Sequence, residues 1–549
     1  MKANSLFLST FYLIFFLIGF LTYKDYGIGI EEIFQKASGF YWLKYLLSKI
    51  GFIELANLSN TKLLEVYEIN PGLPKVIENL SYGIVFDVPS ALLEILFNFE
   101  NFSQNIYLKH FLSFLVFFVS CICFSNILIK RFSNLYVTIF GTLAYCFSPK
   151  IYGASFFDGK DLFFLSLFTI TIYFYQNFEL KQKTINLFIF ALFAAFLTST
   201  RPPGLMIAIS FLFIYFLMFI SNVKEKNSLK IISYFILIYS IFLYAHWPYL
   251  WNFLNYNIDQ MFINANVTFF FDGEFYKQRS LPTSYIPKWI FISTPIFILF
   301  FFIIGLILIL RRFFLRLINI RENSNILYKY DFWRSTKEKI DFFILLFFFQ
   351  TIIIYLSFNE ELTASWRHFF FFHFILVYFF SFSIFLIFSS FKKKKVRVLI
   401  ASILFLLNIE MFYKSYLYHP YQYSYFNNFM SKKEKKMFER DTAHLSRLEA
   451  MRDILRDINN DNNNDNIIRV GNGSATPIAD VMYMFNEKQR KKIILIGNDN
   501  LQSADYIYTN YIYEINTRFN KKYEIPKNFK LYKSLEKNDT LIYSIYKKK

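Results

Sequence analysis

Apolar runs constrain this chain more than any other feature. A stretch of about 20 apolar residues crosses a bilayer as a helix. Eleven candidates stand at residues 5–22, 109–129, 134–148, 162–177, 186–200, 204–221, 230–248, 289–310, 341–357, 369–390 and 397–413. The first lacks a small-residue cleavage site before Tyr23 and Lys24, so it reads as an uncleaved anchor rather than a signal peptide. The rest of the composition agrees. Hydrophobic residues make up 55% of the 549 and charged ones 18%, against about 25% in soluble proteins. That balance excludes a soluble enzyme, a disordered chain and a disulfide scaffold. The predicted fold class is therefore mainly α, a polytopic membrane protein of about eleven spans with a helix region in the loop after the first span, where Ala91–Phe97 reads as an interfacial amphipathic helix, and a small C-terminal α/β domain.

The formal charge of +19 does not point to nucleic acid. The cations sit in short loops between apolar runs, as the positive-inside rule expects, and form no basic domain. One set of alternating loops holds twenty Lys and Arg, among them Lys130, Arg131, Arg311, Arg312 and Lys392 to Lys395, and the opposite set holds seven. The first set is thus expected to be cytoplasmic, with the N-terminus inside and the loop 23–108 and tail 414–549 outside. Cys121, Cys123 and Cys146 lie in apolar segments without metal spacing and read as core residues. The expected domains are a transmembrane unit, 1–413, and an outer C-terminal α/β domain, 414–549. In that domain Leu445–Ile458 has helical spacing, and Ile467–Val470, Ile493–Ile496, Tyr506–Tyr508 and Thr540–Tyr546 are strand-like.

The loops on the expected outer side carry mixed polar chemistry beside helix ends. The first holds Glu31 and Glu32, adjacent carboxylates suited to base catalysis or cation binding. Asp87, Glu94 and His110 read as structural. A second loop holds Asp158, Lys160 and Asp161, with Asp161 opening a helix as a cap would. Arg201 follows in Thr200-Arg201-Pro202-Pro203-Gly204, where a guanidinium suits bidentate phosphate recognition. A fourth loop carries Trp and Tyr that fit either an aromatic belt or a sugar pocket. Arg367 and His368 open a later helix, and the tail starts with His419-Pro420-Tyr421-Gln422-Tyr423-Ser424-Tyr425-Phe426-Asn427. A transporter would bury such groups at mid-membrane, where these runs hold almost no charge.

The segments Tyr26–Glu32, Asp158–Asp161, Trp366–His368 and His419–Asn427 resemble motifs of the GT-C type glycosyltransferases that use polyprenyl-phosphate sugars, relatives of the dolichyl-phosphate-mannose-protein mannosyltransferases. The resemblance spans roughly residues 20–450, and the last motif is the most specific of the four. It implies a GT-C-like membrane domain and inverting transfer at the outer face of a bacterial inner membrane, to a lipid, protein or glycan acceptor. It implies Glu31 as base with Glu32 and Asp161 as further catalytic acids. Lys160, Arg201, Arg367 and His368 would neutralise the donor phosphate. Asp158, His419, Tyr421, Gln422, Tyr425 and Asn427 would contact substrate. A divalent cation (magnesium, manganese or zinc) would sit on Glu32 and Asp161. The chain departs from the family at Glu31, where Asp is usual, a shift of roughly 1 Å for the base. It departs again at Asp158, where Asn is usual, and at Thr442-Ala443, where the family continues differently. The competing readings are a transporter or flippase of lipid-linked sugars without bond chemistry, and a non-catalytic scaffold.

Overall fold

The computed structural model describes residues 2–76, 82–99, 101–220, 228–255, 268–322, 333–357, 365–460, 467–513 and 521–549. Thr363, Ala364 and residues 461–466 of the polar segment 459–466, which reads from the sequence as a turn or loop, lie outside them. Every apolar run became a helix: α1 (Lys2–Thr22), then, after a helical first loop, α5 (Phe102–Phe132), α6 (Leu135–Phe147), α8 (Asp161–Lys181), α9 (Thr184–Thr200), α10 (Leu205–Ile220), α11 (Ser228–His246), α13 (Ile296–Glu322), α14 (Thr336–Ser357), α15 (Phe372–Ser390) and α16 (Lys394–Tyr418). Among the described residues seven helices are long and apolar enough to cross a membrane, and Leu8–Thr22, α6 and α9 are shorter apolar helices. Helix α8 differs. Its residues are buried almost end to end, so other helices surround it.

The first loop carries the expected helical region, and the apolar stretch Ala91–Phe97 is one part of it. It folds as three helices: α2 (Glu32–Ile50), α3 (Ile53–Ile69) and α4 (Asp87–Phe97). Ile33, Ala37, Phe40, Leu43 and Leu47 of α2 recur at helical spacing and are buried together with Ala56 and Leu63 of α3. Leu96 and Phe97 of α4 remain exposed, as an interfacial helix requires. Two short helices complete the same side, α7 (Pro149–Phe157) and α12 (Tyr285–Ser293).

Lipid is as apolar as Leu, so close packing and polar contacts, rather than water exclusion, hold spans together. A Cβ on Gly305 of α13 would collide with the Phe379 carbonyl oxygen of α15, so the two helices meet at a residue without a side chain. Asp341 of α14 is the main polar tie. It accepts from Arg131 Nε at 2.7 Å, Arg312 Nη2 at 2.6 Å and Tyr378 Oη at 2.6 Å, joining α5, α13 and α15. Lys339 and Glu179 add a second tie at 2.7 Å. These ties lie far from Glu32, which bonds His110 on α5. The 21 residues from His110 to Arg131 span roughly 32 Å at 1.5 Å each, a bilayer's hydrocarbon thickness.

Strands β1 (Thr268–Phe271) and β2 (Glu274–Lys277) form a hairpin. Its turn residues Asp272 and Gly273 both have positive φ, the requirement of a two-residue hairpin turn. The tail runs through α17 (Lys432–Lys435) and α18 (Ser446–Asn460) into β3 (Ile468–Asn472), β4 (Ile493–Ile496), β5 (Tyr506–Thr509), β6 (Phe529–Lys537) and β7 (Thr540–Lys548). The strand order is β4-β3-β5-β7-β6, parallel across the first three and antiparallel thereafter. The protein is thus mainly α, with several apolar spans and a C-terminal α/β region.

Candidate active site

The first loop is anchored before it reaches Glu31. Tyr26 stacks on Phe156 at 4.4 Å and donates to Gln422 Oε1 at 3.0 Å. His419 bonds Asp25 at 2.8 Å and Gln422 at 3.1 Å. A Cβ on Gly27 would collide with the Leu445 carbonyl oxygen, so only glycine lets the loop run this close to the tail. Arg447 donates to the Ile28 carbonyl at 2.7 Å, and Ile30 N donates to the Ala443 carbonyl at 3.3 Å. The tail therefore holds both sides of the segment that presents Glu31.

Four separated segments then meet. Arg367 Nη2 pairs with Glu31 Oε1, and its Nε lies 3.7 Å from Asp161 Oδ2. Arg201 pairs with Asp161 Oδ1. Asp161 is buried, with its side chain 1% exposed, while that of Glu31 is 31% exposed. Asp158 Oδ1 accepts from Asp161 N at 2.7 Å and Lys160 N at 3.2 Å, capping the start of α8. Lys160 Nζ lies 2.9 Å from the centre of the Tyr82 ring, and Arg201 lies 5.5 Å from it. Tyr82 is placed by its neighbour Gly83, whose N–H donates to the Ser199 carbonyl at 2.6 Å. Trp366 donates to Ser293 Oγ at 2.7 Å and fixes the turn that carries Arg367.

The electrostatics follow from burial against pairing. Burial alone would raise the Glu31 carboxyl, but Arg367, then Lys160 and Arg201, outweigh it and hold it well below the usual carboxylate range. Asp158 goes the other way. Burial and the adjacent Asp161 carboxylate push it up to about 7 against the pull of Arg367. Burial works against the Arg367 charge, yet Glu31 and Asp161 keep its proton more firmly held than usual. Lys150 of α7 donates to the Tyr423 carbonyl at 2.8 Å, and burial lowers its ammonium to about 7.

The expected site residues separate into two groups. Glu31, Asp158, Lys160, Asp161, Arg201 and Arg367 gather at one end of the bundle. Glu32 does not join them. Its carboxylate turns away to Gly29 N at 2.6 Å and His110 Nε2 at 3.2 Å. His368 follows Arg367 in the same turn, where burial and then the Arg201 and Arg367 charges hold its imidazole well below the usual histidine range. His419 and Gln422 are spent on the first loop. Tyr421 and Tyr425 are buried. Asn427 donates to the carbonyls of Phe291 at 2.6 Å and Thr294 at 2.9 Å, tying the tail to α12. The conspicuous tail motif thus serves packing and positioning. His110 pairs with Glu32, and Glu94 forms a buried pair with Lys36.

A divalent cation does not fit these donors as arranged. Of the two carboxylates expected to share magnesium, manganese or zinc, Glu32 faces His110 and Asp161 faces two guanidinium groups. Among the described residues no three His, Cys, Asp or Glu side chains converge as a metal site. Two residues escaped sequence reasoning. Tyr82 lies beneath the cations, and the Tyr423 ring lies against Phe157 at 5.4 Å and under Lys150 at 4.4 Å. Tyr82 has no local signal, and Tyr423 stands inside the tail motif without a role that the motif assigns, because each is defined by partners distant in the chain.

Fold and cluster together define a class: an integral membrane protein of many helices with a charge-paired polar site where several helix ends meet. No family model matches the sequence, and no curated protein matches it. Among solved structures the chain is similar to ArnT from Cupriavidus metallidurans bound to undecaprenyl phosphate, at 8% identity and a TM-score of 0.44, over 99% of this chain and 98% of that one. Apo ArnT from the same organism is similar at 7% identity and 0.44, with the same coverage. Similarity at this level assigns no activity.

Proposed function

We propose that this chain is a GT-C type glycosyltransferase that moves a sugar from a polyprenyl-phosphate donor to a lipid, protein or glycan acceptor at the outer face of a bacterial inner membrane. In this reading the N-terminus is cytoplasmic and the tail periplasmic. One observation carries the proposal: Arg201 and Arg367 converge on the buried Asp161 at one end of the bundle, and Arg367 is also paired with Glu31, a more exposed carboxylate that an arriving phosphate can replace. A lipid-borne phosphate must be met at the membrane edge, and guanidinium groups suit it.

The resting pairs give the cluster a sequence of events. The donor phosphate exchanges for Glu31 on Arg367. Glu31 thereby loses the cation that lowers its proton affinity and becomes a better base. The acceptor oxygen attacks the anomeric carbon as Glu31 takes its proton. The bond from that carbon to the phosphate oxygen breaks, its electrons leave with the polyprenyl phosphate, and Arg201, Arg367 and Lys160 stabilise the charge. A single displacement inverts the anomeric centre. Asp161 holds both guanidinium groups in place throughout.

The test is turnover by the purified full chain in proteoliposomes with a polyprenyl-phosphate sugar and candidate acceptors. A product freed of the lipid carrier supports transfer. Lipid translocation with no such product supports the flippase reading instead.

A further inference from the structure

A second cationic site lies at the opposite end of the bundle. A cavity of about 420 Å³ opens there between α13, α14 and α15. Arg131, Arg311, Arg312, Arg316 and Arg334 line it, together with Trp333. Among the described residues the carboxylates at this cavity are Asp341, which engages Arg131 and Arg312, and Glu338, which accepts from the backbone N–H of Arg334. Setting Arg316 aside, four arginines against these two carboxylates leave an excess of positive charge. Arg311 and Arg334 are exposed.

The remaining walls are aliphatic and aromatic side chains of α13, α14 and α15, among them Leu315, which is half exposed on the outside of the bundle. Trp333 packs on Phe342 with ring centres 6.0 Å apart. A soluble anion would need the arginines but not an apolar wall that continues onto the lipid-facing surface of a span. A lipid with a charged headgroup uses both. Basic pockets between spans are a recurrent way to hold such headgroups.

We propose that this pocket binds the phosphodiester headgroup of an anionic membrane lipid, on the face opposite the Glu31 cluster. The arginines take the phosphate, Trp333 sits at headgroup depth, and the acyl chains follow α13 and α15. The proposal is independent of the transferase reading.

The test is native mass spectrometry of the full chain released from nanodiscs of equal phosphatidylglycerol and phosphatidylcholine. Wild type should retain phosphatidylglycerol preferentially. R311Q/R334Q, which spares the arginines bound to Asp341, should cut that preference about thirtyfold, at roughly five- to sixfold per charge. R311K/R334K should restore most of it. K394Q/K395Q removes two cations outside the pocket on the same face and should leave it within about twofold. No enrichment in wild type, an unchanged preference in R311Q/R334Q, or an equal loss in K394Q/K395Q would overturn the pocket. Displacement of the lipid by millimolar inorganic phosphate would overturn the lipid assignment.

Discussion

Asp158 makes donor binding depend on pH, with a sign set by the cluster. Below about 7 its carboxyl is neutral, so Lys160, Arg201 and Arg367 face two carboxylates, Glu31 and Asp161. Above that pH a third carboxylate joins, the net charge falls from plus one to zero, and donor affinity drops. For an anion about 7 Å from Asp158 in an effective dielectric of about 20, the added repulsion is about 2.4 kcal/mol, or roughly fiftyfold in Kd. Salt and solvent screening bring the expectation to between tenfold and fiftyfold. The probe should be a polyprenyl-phosphate sugar, because a phosphodiester keeps one charge throughout. Its Kd is measured from pH 5.5 to 8.5 by fluorescence titration of the detergent-solubilised chain. D158N keeps the oxygen that caps α8 and should flatten the dependence. Lys150 sheds its charge in the same window, so K150M is measured alongside to separate the two. A flat wild-type profile, or a slope unchanged in D158N, refutes the reasoning.

Three substitutions separate chemistry from scaffolding. E31Q removes the proposed base and should lower kcat by about 10²–10⁴ with the chain still folded, read by single-turnover kinetics and thermal melting. E32A leaves Gly29 N and His110 without their buried partner and should cost about 1–3 kcal/mol of stability, seen as a lower Tm rather than as loss of the base. D341N strips the buried Arg131 and the half-buried Arg312 of their counter-charge and should cost about 3–5 kcal/mol, while donor Kd stays unchanged because Asp341 belongs to the other end of the bundle.

Much of this architecture is legible in the sequence. The span signal is strong because each run satisfies its own backbone hydrogen bonds. The sidedness of Glu31, Asp161, Arg201 and Arg367 follows from counting those runs. What escaped depends on partners far along the chain. Nothing local tells that Glu31 turns to Arg367 while its neighbour Glu32 turns to His110. The His419–Asn427 motif is conspicuous, yet its side chains are consumed by Asp25, Tyr26 and α12. Helices α2 and α3 carry helical spacing in a segment whose polarity reads as loop, and the Asp272-Gly273 turn between aromatic strands was a hairpin signal available to reading.

A structure of the full chain with polyprenyl phosphate bound tests the central claim most directly. The phosphate should lie within hydrogen-bond reach of both Arg201 and Arg367, with Glu31 released from Arg367 and facing the acceptor side. A phosphate bound elsewhere while the Arg367–Glu31 pair stays closed would contradict the account.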